Sequence, residues 1–163
     1  MRLLLQRVRR ASVTVDGQGV AAIGPGILAL VGFGKAYGSD FADGPVCRMM
    51  LEKVCDLRIF PDAAGKFDVS LRETGGELLL VSQFTLYAAC RKGRRPSFSD
   101  AAPPEVAAAL YDRLLVLAGQ VLPGRVASGV FGADMDVSLV NWGPVTIPLD
   151  SATFGASRPL DGA

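Results

Sequence analysis

Four consecutive aliphatic residues, Leu78-Leu79-Leu80-Val81, constrain the fold more than any other feature of the sequence. Side chains of a strand alternate between its two faces, so an unbroken aliphatic run predicts a strand that is buried on both faces. Such a strand needs packing partners on each side of its sheet. A chain of 163 residues is long enough to supply them within one domain. We therefore expect a single domain around a central strand over residues 77–86.

The first 33 residues predict three strands joined by tight turns. Residues 2–15 alternate in polarity, and Asp16-Gly17 after them is a hairpin signal. Residues 19–23 return as a second strand, and residues 27–33 form an apolar third strand. This order predicts a β-meander.

The rest of the chain predicts two main helices among short strands. One helix lies within residues 40–55, and a second, with apolar residues at helical spacing, runs from Pro103 to about Gly119. The mixture predicts an α+β fold with a largely antiparallel or mixed, barrel-like sheet over residues 1–150. We expect the small, polar tail at 151–163 to be flexible. Further strands are predicted at 57–60, 67–71, 125–131, 135–141 and 145–149.

The absence of histidine restricts the chemistry. The sequence contains none, which excludes Ser-His-Asp and Cys-His hydrolases and zinc sites built on imidazole. Cys47, Cys55 and Cys90 lack metal-ligand spacing, and we expect three reduced thiols. An enzyme of this composition must use another kind of catalysis, such as positioning and main-chain dipoles, and the sequence gives no evidence for a metal or organic cofactor.

The sequence gives weaker indications of where the protein is located and of whether it contacts RNA. No apolar run reaches the length of a membrane span, and the N-terminus becomes charged too early for a signal peptide. We therefore expect a cytoplasmic protein with no membrane partner. The net charge of +1 provides no overall basic field, so contact with RNA would depend on local clusters.

Polar residues follow the aliphatic run directly, in the segment Ser82-Gln83-Phe84-Thr85. They mark the point where the strand reaches the surface or a pocket, where the Thr85 hydroxyl could hydrogen-bond a substrate. The alternative is an ordinary strand end with half-exposed polar residues, which the pattern alone favours.

A glycine-proline pair interrupts the strand-like segment from Asn141 to Thr146. Proline cannot donate to a strand ladder, so Gly143-Pro144 indicates an edge, a bulge or a break. Glycine before proline permits unusual dihedral angles, so the turn could direct two carbonyl oxygens the same way. A plain turn is the alternative, and the spacing alone favours it.

A basic loop lies between the central strand and the second helix. With three arginines of the first strand (Arg7, Arg9 and Arg10), it could form a phosphate-binding rim. The alternative is a solvated loop, which is what a short run of charged residues more commonly forms. Its cations are Arg91, Lys92, Arg94 and Arg95.

Together these segments resemble the D-aminoacyl-tRNA deacylase family over about residues 1–150. The resemblance implies hydrolysis of the ester between a D-amino acid and its tRNA, and of glycine mischarged on certain tRNAs. It also implies a homodimer with the active site at the subunit interface. The matching segments, in order, are Leu5-Gln6-Arg7-Val8, Ala11-Ser12-Val13-Thr14-Val15, Arg58-Ile59-Phe60, Gly65-Lys66, Ser82-Gln83-Phe84-Thr85-Leu86, Arg95-Pro96-Ser97-Phe98, Gly129 to Met135, Val137 to Asn141 and Gly143-Pro144-Val145-Thr146.

The resemblance further implies residue roles. Gly143-Pro144 would be a cross-subunit Gly-cisPro element whose main-chain oxygens reject L side chains by collision. Main-chain N–H groups near Phe84 and Thr85 would stabilise an oxyanion, and Arg7 would help to hold the Gly-cisPro element. Phe131 and Met135 would contact the pocket or pack in the core. The implied substrate-binding residues are Ser82, Gln83, Arg7, Phe131, Met135 and Asn141.

One residue departs from the family pattern. Trp142, the only tryptophan, occupies a position that is commonly acidic, and it could alter the pocket rim or pack against the partner. Two other functions stay open. An RNA-binding β domain would bind tRNA without hydrolysis, and a cysteine hydrolase using Cys90 would be inactivated by alkylation. Neither explains Gly143-Pro144 together with residues 82–85.

Overall fold

The computed structural model describes residues 1–38, 40–91 and 93–154. Residues 155–163 of the tail that we expected to be flexible lie outside the described residues. The strands are β1 Arg2–Val15, β2 Gln18–Ile23, β3 Gly26–Gly32, β4 Phe60–Pro61, β5 Phe67–Val69, β6 Glu77–Ser82, β7 Val126–Ser128 and β8 Asp136–Asp150. The helices are α1 Pro45–Asp56, α2 Leu71–Thr74 and α3 Pro104–Val121, and 3₁₀ turns lie at Phe41–Asp43, Phe84–Tyr87 and Ser151–Thr153.

The long strand β1 organises the main sheet because it pairs along both edges. β8 runs antiparallel to it from Arg2↔Asp150 to Thr14↔Asp136. Along the opposite edge, β3 pairs with residues 2–8 and β2 pairs with residues 11–15. The predicted meander is therefore wrong: β2 and β3 follow one another along β1, whose 14 residues leave room for both.

Two parallel strands complete the sheet. β6 lies parallel to β3, and β7 lies parallel to β6. Parallel neighbours require crossover connections, and these contain α1 and α3 respectively. The result is a mixed, barrel-like sheet, which confirms the predicted α+β class. Among the described residues, no helix is long and apolar enough to cross a membrane.

Apolar cores lie on both sides of β6, as its aliphatic run predicted. Leu78 and Leu80 join the larger core, which packs the sheet against α1 and α3. Leu79 and Val81 point to the other face, into a second core shared with β1 and β2. All four side chains are at most 1% exposed. The central strand thus holds both layers together and carries its last residue to the edge of a cavity.

A helix-capping pair ends β5 earlier than predicted and begins a helix that was not predicted. The predicted strand over 67–71 ends at Val69, because Ser70 caps α2: its Oγ accepts a hydrogen bond from the Glu73 amide at 3.3 Å, and Glu73 Oε2 accepts one from the Ser70 amide at 2.7 Å. The two predicted main helices correspond to α1 and α3, and α2 is a third, one-turn helix that the prediction missed.

The last strands also differ from expectation. The predicted strand over 125–131 is limited to Val126–Ser128. Of the strand predicted over 57–60, only Phe60 lies in a strand, β4, which continues to Pro61. The strands expected at 135–141 and 145–149 form the single strand β8. Pairing with β1 resumes beyond the glycine-proline pair, so that pair bulges out of the sheet without ending the strand.

Candidate active site

A cavity of about 630 Å³ opens where β6 ends. Its walls come from the ends of β3 and β6, from the start of α3 with the segment before it, and from the loop ahead of β8. The predicted residues Ser82, Gln83, Phe84, Phe131 and Met135 all line it. The structure therefore brings together, from two distant parts of the sequence, five residues that were predicted to form one site.

The mouth of the cavity is aromatic. Phe84 is 55% exposed, and its ring meets that of Phe98 edge-on with centroids 4.9 Å apart. Our prediction of site residues missed Phe98, although its segment Arg95-Pro96-Ser97-Phe98 was among those matched. An exposed aromatic pair at a cavity rim offers an apolar surface on which a planar group can stack.

A 3₁₀ turn stops β6 beside the cavity. The main-chain N–H of Gln83 donates a hydrogen bond to Val31 O at 2.6 Å, which is the last hydrogen bond to β3. The main-chain N–H of Leu86 donates to Gln83 O at 3.3 Å. Gln83 Nε2 donates to Thr85 Oγ1 at 2.7 Å. Thr85 is exposed and is not among the residues that line the cavity. Its hydroxyl is thus oriented by Gln83 at the rim.

The same turn leaves main-chain donors available. Phe84 and Thr85 are the first two residues of the turn, so no carbonyl of the turn can accept a hydrogen bond from their main-chain N–H groups. Within the part of the chain that the structure describes, neither amide donates a hydrogen bond. Two adjacent N–H groups at the cavity edge form a suitable arrangement for a developing negative charge.

The basic loop emerges next to this rim. Ala89 and Ser97 exchange two main-chain hydrogen bonds, of 2.8 and 3.0 Å, which close the base of the loop just before Phe98. Arg91, Arg94 and Arg95 are exposed and form no ion pair with any described residue. Lys92, the fourth predicted cation, lies outside the described residues. The loop thus presents positive charge near the cavity.

The glycine-proline pair occupies a different surface, where it stands off the sheet. Gln6 pairs with Thr146 and Val8 pairs with Asn141, so residues 142–145 lie opposite the single residue Arg7. Gly143 and Pro144 are exposed at this bulge, and the bond between them is cis. Neither residue lines the cavity of the same chain.

Arg7 anchors the bulge from within the protein. Its side chain is buried, its Nε donates to Trp142 O at 2.8 Å, and its Nη1 donates to Ile59 O. The guanidinium carbon also lies 4.6 Å from the centroid of the Trp142 ring and 4.8 Å from that of Phe67. Burial, followed by the charge of Arg9, lowers the pKa of Arg7. Arg7 therefore fixes the bulge from its position outside the cavity.

Asn141 closes the bulge across its base. Its Oδ1 accepts from the Val145 amide and its Nδ2 donates to Thr146 Oγ1, both at 2.9 Å. Asn141 and Arg7 were both predicted to bind substrate, and in the single chain both hold the bulge. Their predicted contact with substrate stays a prediction.

The cysteines contribute little to this site. Cys47 and Cys55 are buried, and burial raises the pKa of the Cys47 thiol to about 11. Cys90 is exposed, but it is not among the residues that line the cavity. The geometry therefore gives the cysteine-hydrolase alternative no support.

Comparisons with known proteins identify the family of the chain. The model of the family "D-Tyr-tRNA(Tyr) deacylase" matches residues 4–150. A protein named D-aminoacyl-tRNA deacylase from Solidesulfovibrio magneticus is 74% identical over 157 residues, covering 96% of this chain and 99% of that protein. One of the same name from Desulfovibrio desulfuricans is 56% identical over 160 residues, covering 96% of this chain and 100% of the relative.

Two solved structures are also similar. One, titled "c-Myc DNA Unwinding Element Binding Protein", is 39% identical with a TM-score of 0.82, over 92% of this chain and 98% of the other. The second, a probable eukaryotic D-amino acid tRNA deacylase, has a TM-score of 0.74 at 22% identity over 91% and 97% of the two chains, which supports the fold alone. On the family match and the identity to its relatives, the chain belongs to the D-Tyr-tRNA(Tyr) deacylase family.

Proposed function

We propose that this protein is a D-aminoacyl-tRNA deacylase. In the reaction, water cleaves the ester between a D-amino acid and the terminal ribose of its tRNA, giving the free amino acid and the tRNA. The observation that carries the proposal is the cavity at the end of β6, where Ser82, Gln83 and Phe84 meet Phe131 and Met135. The family match supplies the substrate class.

The chemistry proposed for this cavity needs no histidine. An aminoacyl ester is already activated, and its carbonyl oxygen gains negative charge when water attacks. The Phe84 and Thr85 amides would stabilise that charge, and one such donor is typically worth about 3 to 4 kcal/mol. The terminal 2′-OH of the tRNA would assist the attack. Thr85 would position the substrate through its hydroxyl, which Gln83 already orients.

Chiral selection is proposed to come from a second copy of the chain. In a homodimer, the Gly143-Pro144 bulge of one protomer would enter the cavity of the other, with its main-chain oxygens facing the α-carbon of the substrate. An L side chain would collide with them, whereas a D side chain would point away. Glycine has no side chain, so glycyl-tRNA would also be hydrolysed. The exposure of the bulge and its anchoring by Arg7 support this proposal.

The first test is amino-acid release from D-Tyr-tRNA, L-Tyr-tRNA and Gly-tRNA by purified protein with EDTA present. We expect loss of the D and glycyl esters, with the L ester intact, because selection depends on the side chain at the α-carbon and no metal takes part. If a folded dimer binds tRNA but hydrolyses none of the esters, the enzyme proposal is wrong and the RNA-binding alternative is favoured.

The basic loop gives a second prediction. If Arg94 and Arg95 contact phosphates, the double substitution Arg94→Gln/Arg95→Gln should raise KM with little change in kcat. It should also reduce the slope of log K against log salt by about 2, because each lost phosphate contact removes roughly one unit. Binding of tRNA over a range of salt concentrations measures this. Lys53→Gln/Lys66→Gln, which also removes two exposed positive charges outside the cavity lining, is the matched control. An unchanged salt slope in the double variant would contradict the contact.

A further inference from the structure

Two irregularities of the β1–β8 ladder meet at Trp142. Residues 142–145 of β8 have no partner in β1. In β1, Arg9 has no partner in β8, because the pair Val8↔Asn141 is followed directly by the pair Arg10↔Val140. Bulges redirect side chains and increase local twist. Here they bring Arg7 and Arg9 onto the same indole.

The indole of Trp142 contacts both guanidinium groups. The guanidinium carbon of Arg9 lies 4.2 Å from the ring centroid, and that of Arg7 lies 4.6 Å from it. A ring face attracts a cation, so one aromatic group stabilises two like charges that would otherwise repel each other. The charge of Arg9 contributes to the lowered pKa of Arg7, which agrees with this proximity. Phe60 holds the indole from the core, with ring centroids 6.1 Å apart.

The guanidinium of Arg7 links this stack to the glycine-proline bulge. Its Nε binds the Trp142 carbonyl, which leads directly into Gly143. A methyl group added at Gly143 would lie only 2.8 Å from Arg7 Nη2, so the guanidinium packs against the bulge itself. Without the indole, one face of Arg7 loses its support and Arg9 repels it directly. The bulge would then follow the displaced guanidinium.

We propose that the indole of Trp142 is a positioning group for chiral selection, which it secures by clamping Arg7 against the Gly143-Pro144 bulge. The inference rests on the proposed function, because that function assigns the bulge to the rejection of L-amino acids. It concerns the side chain of Trp142, whereas the carbonyl of the same residue accepts from Arg7 whatever the side chain is.

The test compares Trp142→Leu with Trp142→Phe, which keeps an aromatic face. The measured quantity is the ratio of kcat/KM for D-Tyr-tRNA to that for L-Tyr-tRNA, with the slow L reaction followed at enzyme concentrations high enough to exceed spontaneous hydrolysis. We expect Trp142→Leu to lower this ratio by about tenfold, since small misplacements of catalytic geometry have effects of this order or more. Trp142→Phe should stay near the wild-type ratio. Lower stability alone reduces the amount of folded enzyme for both substrates equally, so it leaves the ratio unchanged.

Phe41→Leu is the matched control. It removes a half-buried aromatic ring that packs on Tyr37 and the larger core, outside the cavity lining and outside the Arg7–Trp142–Arg9 stack, so it should lower the unfolding temperature without changing the D/L ratio. A wild-type ratio in folded Trp142→Leu would overturn the inference and leave the proposed function intact. An equal loss of ratio in Trp142→Phe and Trp142→Leu would also overturn it. Failure of the wild-type protein to hydrolyse D-Tyr-tRNA would overturn the proposed function and this inference together.

Discussion

Replacing Arg7 with alanine should lower the kcat/KM for D-Tyr-tRNA by about a hundredfold or more, because the bulge that Arg7 holds would form the pocket wall facing the substrate α-carbon, and a substrate misplaced by about 1 Å can react that much more slowly. The substitution removes the donors to Trp142 O and Ile59 O, and it removes the cation that lies against two rings. Stability should also fall, by about 1–3 kcal/mol for each acceptor left buried without a partner. Steady-state kinetics and urea unfolding measure the two effects separately.

Arg7→Lys shows which property of Arg7 matters. Lysine keeps the charge, but its single ammonium group cannot reproduce the planar fork that binds two carbonyls and stacks on rings. We therefore expect Arg7→Lys to keep part of the stability and still lose most of the activity. Wild-type kinetics in either variant would show that the bulge does not depend on Arg7.

Gly143→Ala disturbs the contact between Arg7 and the bulge by changing the bulge residue. A methyl group there would lie 2.8 Å from Arg7 Nη2 and 2.9 Å from Val145 Cγ2, and the φ of +133° is unfavourable for any residue with a side chain. The expected result is a comparable loss of activity. Gly17→Ala is the control: Gly17 also has a positive φ, of +75°, but no atom lies within 4 Å of the added methyl group.

Mixing two inactive variants tests the cross-subunit part of the proposal. Gly143→Ala keeps its cavity, whereas Ala101→Trp, which fills the cavity, keeps its bulge. In a mixed dimer, the intact bulge of one protomer would meet the intact cavity of the other, and activity should return. No recovery in a mixture shown to contain mixed dimers would contradict an active site at the subunit interface.

Gly26→Ala should have the largest effect on folding. Gly26 begins β3 and pairs with Glu77 of β6, and an added methyl group would lie 2.0 Å from Glu77 O. Glu77 O belongs to the main chain and the added methyl group is fixed to the Cα atom of residue 26, so the clash can be relieved only by separating the two central strands. We expect the free energy of unfolding to fall by on the order of 3 kcal/mol or more. Urea unfolding monitored by circular dichroism provides the measurement.

Gly19→Ala is the matched control for that substitution. Gly19 lies in β2, and no atom lies within 4 Å of the methyl group that alanine would add. Its stability should therefore change little, or rise slightly because alanine restricts the unfolded chain. Equal stability of Gly26→Ala and wild type would mean that β3 and β6 can separate at no cost, contrary to the close pairing of these strands.

The main elements were predictable because they depend on neighbouring residues. The run Leu78-Leu79-Leu80-Val81 indicates burial on two faces, since side chains alternate along a strand. The apolar spacing after Pro103 predicted α3, and the hairpin signal Asp16-Gly17 predicted the turn between β1 and β2. The missed helix α2 also had a local signal, the Ser70–Glu73 capping pair.

Tertiary pairing decided what local patterns could not. Gly143-Pro144 looks like a break within its own segment, yet β8 continues through it because β1 supplies partners on both sides. The order of β2 and β3 along β1 likewise depends on the length of a strand elsewhere in the chain. Local propensity cannot reveal either arrangement, because the hydrogen bonds that stabilise it join residues far apart in sequence.

The sequence by itself determined the strand that ends at the cavity, the residue types available there and, through the resemblance, the family. Only the tertiary structure placed Phe131 and Met135 in one cavity with Ser82, and brought Arg7 to a carbonyl 135 residues away. The physical reason is the separation along the chain over which each interaction acts. Periodicity and capping act within a few residues, whereas a cavity and a buried cation form only when distant segments close on one another.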